Sequence, residues 1–142
     1  MPIMNNANII PFGGKTPEID GSALVCTGAT VIGDTQIGAE SSIWFNVVVR
    51  GDVNYIRIGK RTNIQDNSTI HVTSGVAPCI IGDNVTVGHN AVVHACTVED
   101  NCLIGMGATV LDKAVIREGS IVGAGAVVTM GKEFPPNSLI LG

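Results

Sequence analysis

A six-residue period runs through this sequence from Ile19 to Val128. In each repeat an aliphatic residue stands in the same place, and a small residue usually precedes it by two positions. The aliphatic positions are Ile19, Val25, Val31, Ile37, Ile43, Val49, Ile58, Ile64, Ile70, Ile81, Val87, Val93, Val98, Ile104, Val110, Ile116, Val122 and Val128. This pattern matches neither the helical period of about 3.6 residues nor the simple alternation of a strand. It is typical of a short flat strand followed by a tight corner.

Three such repeats close one triangular coil of about 18 residues, and coils stack about 4.8 Å apart like strands of a parallel sheet. The aliphatic side chains point inward and the small ones fill the corners. The sequence therefore predicts an all-β fold, a parallel β-helix of hexapeptide repeats with about six coils. The whole chain, 1–142, is expected to form a single domain. In it, residues 1–18 form an N-terminal cap segment, 19–130 the coils and 131–142 a C-terminal tail.

The composition agrees with a core of stacked aliphatic residues and argues against two classes of partner. The chain is 45% hydrophobic but only 4% aromatic, and its net charge is −4. It has no cluster of Lys and Arg, which argues against nucleic-acid binding. No apolar run approaches the roughly 18 residues of a membrane span, so no membrane partner is expected. The first residues also lack the basic and apolar regions of an export signal, which favours a cytoplasmic protein.

The four cysteines, Cys26, Cys79, Cys96 and Cys102, form no CxxC pair. Without an export signal, reduced thiols are expected. Cys79, Cys96 and Cys102 occupy the small inward position of the repeat and should be buried. Cys26 directly follows Val25 and is expected to be more exposed.

Three of the intervals between consecutive aliphatic positions, called steps here, are not six residues long. The step from Val49 to Ile58 has three extra residues, and that from Ile70 to Ile81 has five extra. The step from Val93 to Val98 is one residue short. Excursions from a regular solenoid usually lie on its functional side.

All three histidines of the chain fall between residues 71 and 94. If each irregular step counts as one repeat, Arg50, His71 and His94 each follow an aliphatic residue of the same face. They should then form a column in which His71 and His94 lie on adjacent coils. Two imidazoles at that spacing suit one metal ion, because Zn–N bonds are about 2.0–2.1 Å long.

The third histidine belongs to the preceding face. Asp66 and His89 both lie two positions after an aliphatic residue there, and they should stack one coil apart with Gln65 beside Asp66. His89 then points away from the other histidines of its own chain. Three prisms packed about a threefold axis would bring His89 of one subunit to the pair on the next. The spacing thus predicts a metal site shared between subunits of a homotrimer.

The segment "RGDVNYIRIGKRTNIQDNSTIH" and the later "VGHNAVVHAC" resemble the γ-class carbonic anhydrase family. The stretches "GKTPEI" and "IVGAGAVVTMGKEFPPNSLILG" are also similar to its general pattern. The resemblance implies a left-handed coil and homotrimers with a divalent metal at each subunit interface, commonly Zn²⁺ and in some members Fe²⁺ or Co²⁺. It implies that His71, His89 and His94 are the ligands, with His89 supplied by the adjacent subunit.

The resemblance also implies an activity, the reversible hydration of CO2 to bicarbonate. Gln65 would orient the attacking hydroxide or the substrate. Arg50 and Asp52 would form a salt bridge across subunits, with Asp66 in the same network.

The sequence departs from the family in three places. Val53 follows Asp52 where well-studied members carry a glutamate, and the excursion "VTSGVAP" has no carboxylate to carry protons. Turnover is therefore expected to be low or dependent on buffer. Tyr55 is the only tyrosine and does not clearly match the family's tyrosine. Where members usually continue into a C-terminal helix, this chain ends at "LILG", so the expectation is a truncated chain or an absent helix.

Two other functions remain open from the sequence. A hexapeptide acyltransferase, or a related thioesterase, would use one histidine as a general base and bind acyl-CoA. The convergence of three histidines and the lack of a long substrate-binding loop argue against it. A non-catalytic assembly role is also compatible with this fold.

Overall fold

The computed structural model describes residues 3–142, which form strands, turns and bends but no helix. Seven two-residue strands stack in parallel as the first face of a prism. They are β3 (Leu24–Val25), β5 (Ser42–Ile43), β7 (Asn63–Ile64), β10 (Thr86–Val87), β13 (Leu103–Ile104), β16 (Ile121–Val122) and β18 (Leu139–Ile140). The part of the chain described here thus contains no helix able to cross a membrane.

The remaining strands form the other two faces. The second face contains β1 (Asn8–Ile10), the first half of β4 (Thr30–Ile37), the first half of β6 (Val48–Ile58), β8 (Thr69–His71), β11 (Val92–His94), β14 (Thr109–Val110) and β17 (Val127–Val128). The third face contains β2 (Glu18–Ile19), the second halves of β4 and β6, β9 (Cys79–Ile81), β12 (Thr97–Val98) and β15 (Val115–Ile116). Strands β4 and β6 continue around a corner and join these two faces into one sheet.

The predicted parallel β-helix is confirmed. The coils make a β-solenoid of about seven turns, consistent with the left-handed form. Strand β1 pairs with β4, and β18 pairs with β16, so the stack continues beyond both ends of the six-residue pattern. Successive coils follow one another in the same direction, as the repeat requires.

The repeat's aliphatic residues form the core. From Val25 to Val128 each member of the series is at most 4% exposed. The small residues two places earlier are buried as well, because only a small side chain fits inside the corner. Cys79, Cys96 and Cys102 are buried as predicted.

The expectation that Cys26 is more exposed is wrong, since it is 1% exposed. The segment before β1 runs alongside it. Met4 N–H donates to Val25 O and Gly28 N–H donates to Asn6 O, which places residues 4–6 against this corner.

The corner after the first face fixes two of the candidate site residues. Asn67 and Asn90 adopt left-handed backbone conformations there, with φ of 63° and 56°. Asparagine tolerates this conformation better than most residues. The backbone ladder continues through the corner, where Asn90 N–H donates to Asp66 O. Asp66 and His89 are therefore stacked on adjacent coils.

The irregular steps leave the register of the coils intact. In β6 the pairing with β4 shifts between Gly33 and Thr35, so residues 52–55 bulge outward. The excursion loop, defined here as residues 72–78, closes with a bridge between Thr73 and Ala77. The shortened step is absorbed at Ala95, whose φ is 47°.

The column of inward aliphatic residues should dominate the free energy of unfolding. Ile70 is fully buried, whereas Ile121, another isoleucine of a two- or three-residue strand, is 44% exposed. We expect Ile70→Ala to lower the free energy of unfolding by about 2–5 kcal/mol and Ile121→Ala by less than about 1 kcal/mol. Urea unfolding of both variants measures the difference. Equal losses would contradict the assignment of the core.

Candidate metal centre

His71 and His94 face each other at the end of two paired strands. Strands β8 and β11 are in register, with His94 opposite His71. His71 Nδ1 lies 3.2 Å from His94 Nε2, and the rings meet edge to face with centroids 5.2 Å apart. The predicted placement of these two histidines on adjacent coils is confirmed.

A carboxylate lies at each end of this pair. Asp52 Oδ1 is 3.0 Å from His71 Nε2, and Asp112 Oδ1 is 2.7 Å from His94 Nδ1. The four side chains form a row from Asp52 to Asp112 on the second face. Sequence reasoning did not find Asp112. The only available signal was its position two residues after an aliphatic residue of the same face.

Both carboxyls titrate below their ordinary range. Burial raises the pKa of Asp52, but hydrogen bonds from His71, Arg50 and the Val53 N–H outweigh it and hold that pKa at about 2. Burial also raises the pKa of Asp112, and donation by the Thr73 hydroxyl and His94 lowers it overall. Both groups are therefore ionised acceptors at neutral pH.

Arg50 pairs with Asp52 of its own chain. Asp52 begins the bulge of β6, which brings its carboxylate to the Arg50 guanidinium of the same chain. The bridge between subunits that the resemblance implies stays a prediction. Asp52 thus accepts from Arg50 with one oxygen and from His71 with the other.

Gln65, Asp66 and His89 form a second group at the corner after the first face. His89 Nδ1 lies 3.2 Å from Asp66 Oδ1, and the His89 side chain is 47% exposed. Gln65 Nε2 donates to Asn63 Oδ1 over 3.0 Å. The predicted stacking of Asp66 and His89 is confirmed. Within residues 3–142 this group shares no hydrogen bond or ion pair with the His71–His94 row.

In each of the three histidines, therefore, one ring nitrogen lies within hydrogen-bonding distance of an aspartate oxygen. A neutral imidazole has one N–H and one lone pair, and an ionised carboxylate can only accept. When the aspartates take the N–H groups, the lone pairs remain on the opposite nitrogens. For His71 and His94 these are the two nitrogens that face each other.

This donor set fits a metal ion. Two lone pairs 3.2 Å apart repel unless a proton or a metal ion lies between them. Two ligands of a tetrahedral zinc ion would have their nitrogens about 3.3 Å apart, given bonds of about 2.0–2.1 Å. A single chain offers only these two nitrogens, since no three His, Cys, Asp or Glu side chains of its described residues converge on one point.

Comparison with known proteins shows the family of this chain. Residues 95–129 match the family model described as bacterial transferase hexapeptide (six repeats). The chain is 52% identical over 134 residues to a carbonic anhydrase of Geobacillus kaustophilus, which covers 94% of this chain and 73% of the relative. The chain belongs to the γ-carbonic anhydrase family.

Two other proteins, one curated relative and one solved structure, are also similar to this chain. Gamma carbonic anhydrase 1, mitochondrial, of Arabidopsis thaliana is 52% identical over 126 residues, which are 85% of this chain and 46% of the relative. The chain thus spans about half the length of the plant relatives it matches. A crystal structure from Bacillus cereus, of a protein provisionally called an acetyltransferase, superposes with a TM-score of 0.95 at 48% identity. It covers 97% of this chain and 80% of that one.

This member of the family differs from the pattern implied by the resemblance around the bulge and the excursion loop. Val53, which stands where well-studied members carry a glutamate, is 47% exposed. The excursion loop contributes no carboxylate of its own, but its Thr73 hydroxyl donates to Asp112 Oδ2 over 2.6 Å. Asp112 thus brings a negative charge to this side of the site from a later coil.

Replacing His89 should remove the metal without disturbing the coil, because its side chain lies on the surface. We expect His89→Ala to lose at least about nine-tenths of the bound divalent metal. Gln36→Ala, an exposed polar residue of the third face, serves as the matched control and should bind as wild type. Metal content by mass spectrometry and far-UV circular dichroism give the two readouts. Full metal binding by His89→Ala would contradict the ligand assignment.

Proposed function

We propose that this protein catalyses the reversible hydration of CO2 to bicarbonate at a metal held between subunits of a homotrimer. The observation that carries the proposal is the pairing of His71, His89 and His94 with one aspartate each. Such pairs are typical of metal-binding histidines, because the carboxylate fixes the ring and raises the basicity of the free nitrogen. A divalent metal held by three imidazoles supplies a Lewis-acidic centre that activates water near neutral pH.

The position of His89 supports a site shared between subunits. His71 and His94 lie on the second face, while His89 lies on the corner after the first face. Cyclic packing would bring the corner of one subunit to the second face of the next, and symmetry would repeat the site at each interface. Gln65 and Asp66 share the corner with His89 and would arrive with it.

The neighbouring side chains have separate proposed roles. Donation to Asn63 fixes the amide of Gln65, which leaves its carbonyl oxygen free to accept a hydrogen bond from the water or bicarbonate. Arg50 holds Asp52 ionised, and Asp52 in turn orients His71. Asp66 does the same for His89. None of these residues needs to change protonation state while it orients its partner.

Zn²⁺ is the metal we propose, with Fe²⁺ and Co²⁺ as the alternatives that the same ligands accept. Imidazole nitrogen is a ligand that these first-row metals share, so the identity of the ligands does not choose among them. Cytoplasmic location remains a prediction.

A complementation experiment tests the shared site. Subunits carrying His71→Ala and subunits carrying His89→Ala should each be inactive alone. In trimers re-formed from an equal mixture, a site is intact where a subunit with His71 and His94 meets one with His89, so about a quarter of the sites should recover. CO2 hydration and metal content should both return to about that fraction of wild type.

Mixing His71→Ala with His94→Ala is the matched control. Both histidines belong to the same subunit's side of the interface, so that mixture should stay inactive. Recovery in the control mixture, or none in the test mixture, would contradict the proposed division of ligands.

The turnover of wild type should depend on buffer, because no carboxylate stands at Val53 to accept the released proton. We expect kcat to rise with the concentration of an imidazole buffer while kcat/KM stays constant. Val53→Glu should raise kcat at low buffer several-fold, since general acid–base groups contribute about 10²–10⁴-fold in favourable cases. Leu139→Glu, at an exposed position of the last coil, is the control and should have no effect. A kcat independent of buffer in wild type would contradict this prediction.

The acyltransferase alternative has one supporting observation, the provisional name of the similar Bacillus cereus protein. It fits this site less well, because a general base needs only one histidine, and here His71 and His94 lie with two ring nitrogens 3.2 Å apart. Hydrolysis or transfer of a CoA thioester without CO2 hydration would favour it. A stable trimer with neither activity would favour an assembly role.

A further inference from the structure

One carboxylate joins two parts of the site that are far apart in sequence. Asp112 Oδ1 accepts from His94 Nδ1 over 2.7 Å, and Asp112 Oδ2 accepts from Thr73 Oγ1 over 2.6 Å. Thr73 lies two residues after His71, and Asp112 lies 39 residues beyond Thr73. The two bonds leave neither oxygen of Asp112 free to turn away from His94.

Thr73 is also the residue that closes the excursion loop. Its N–H donates to Ala77 O, and its own carbonyl accepts from Val76 N–H and Ala77 N–H. The same carbonyl accepts from Asn54 Nδ2 in the bulge of β6. The backbone of Thr73 therefore ties the loop to itself and to the bulge. Its hydroxyl provides the loop's only side-chain hydrogen bond to a later coil, among the residues that the structure describes.

The bond to Asp112 decides which nitrogen of His94 carries the proton. An ionised carboxylate at Nδ1 requires the N–H there, and Nε2 is left with its lone pair toward His71. The Asp112 side chain is only 18% exposed, so water competes weakly for these charge-assisted bonds. A second donor on the same carboxylate stops it from rotating and keeps Oδ1 directed at His94.

We propose that Asp112 is a positioning residue of the metal centre, locked by Thr73 so that one carboxylate orients His94 and anchors the loop after His71. This inference depends on the proposed function in one respect only, namely that the group bound by His94 is a metal ion. The orientation of the ring and its tautomer are properties of the metal-free chain. A residue that merely fastened the loop would need the bond to Thr73 but not the bond to His94.

Asp112→Asn separates these two roles. The new amide keeps the size of the side chain, and its oxygen can still accept from Thr73. Its NH2 group would then face His94 Nδ1 as a donor, which favours the tautomer with the proton on Nε2. That tautomer has no lone pair toward His71, so metal binding would require a tautomer change or a broken hydrogen bond.

The experiment uses the full chain as it assembles, with nitrogen-15-labelled histidine and Zn²⁺ as the metal probe. In the metal-free protein at a pH about two units above the ordinary imidazole pKa, we expect His94 of wild type to be in the Nδ1–H form. Asp112→Asn should shift it toward the Nε2–H form and weaken Zn²⁺ binding about 10- to 100-fold, measured by competition with a chromogenic chelator.

Three further variants serve as controls. Thr73→Val keeps the bond to His94 but frees the carboxylate, and it should weaken Zn²⁺ binding by several-fold. Thr73→Ser, which restores the hydroxyl, should recover most of that loss. Asp20→Asn, at an exposed carboxylate bonded only to Ser22, should leave both the tautomer and the affinity unchanged.

The outcomes separate this inference from the proposed function. If Asp112→Asn lowers the unfolding midpoint but leaves the His94 tautomer and Zn²⁺ affinity as in wild type, Asp112 is only a loop anchor and the inference is overturned. If wild type binds no Zn²⁺, the shared metal site fails. The tautomer measured in the metal-free protein then still decides whether Asp112 positions His94.

Discussion

The site depends on the backbone ladder between β8 and β11. This ladder sets His94 opposite His71, and a shift of its register by one residue would turn one imidazole to the other side of its strand. The coils before and after obey a six-residue rule, but the site's coils do not. The excursion loop is the irregular step between the two histidines, and the strands before and after it keep the register that pairs them. The extra residues of the loop therefore do not disturb the pairing of His71 with His94.

The inward aliphatic column allows these departures because it continues through them without a gap. Ile70 and Ile81, the repeat's aliphatic residues before and after the excursion loop, are both buried, and Val72 of the loop packs with them in the core. The extra residues of β6 behave in the same way, since Ile56 and Ile58 resume the core after the bulge. A solenoid can therefore acquire functional groups at its corners with little change to the packing that stabilises it.

Most of the fold and half of the site geometry could be predicted from the sequence. The period fixes which residues point inward, and counting irregular steps as single repeats is enough to pair His71 with His94 and Asp66 with His89. Contacts made by long or displaced side chains could not be predicted. Asp112 reaches His94 across a coil boundary, and Asp52 turns back to Arg50 because of a bulge whose shape no period encodes. Cys26 is buried by the segment before β1, which lies outside the repeat.

The place of the site within the stack has a consequence for local unfolding. Strands β6, β8, β11 and β14, which carry or adjoin the row from Asp52 to Asp112, all have a neighbouring strand of the second face on both sides. Within residues 3–142, the first and last coils have a neighbour on one side only. Because each coil of a solenoid is held by its neighbours, opening begins at the ends and must pass through intact coils before it reaches the middle. Amide protons beside His71 and His94 should consequently be among the slowest to exchange, so the centre keeps its geometry while the ends of the solenoid fray.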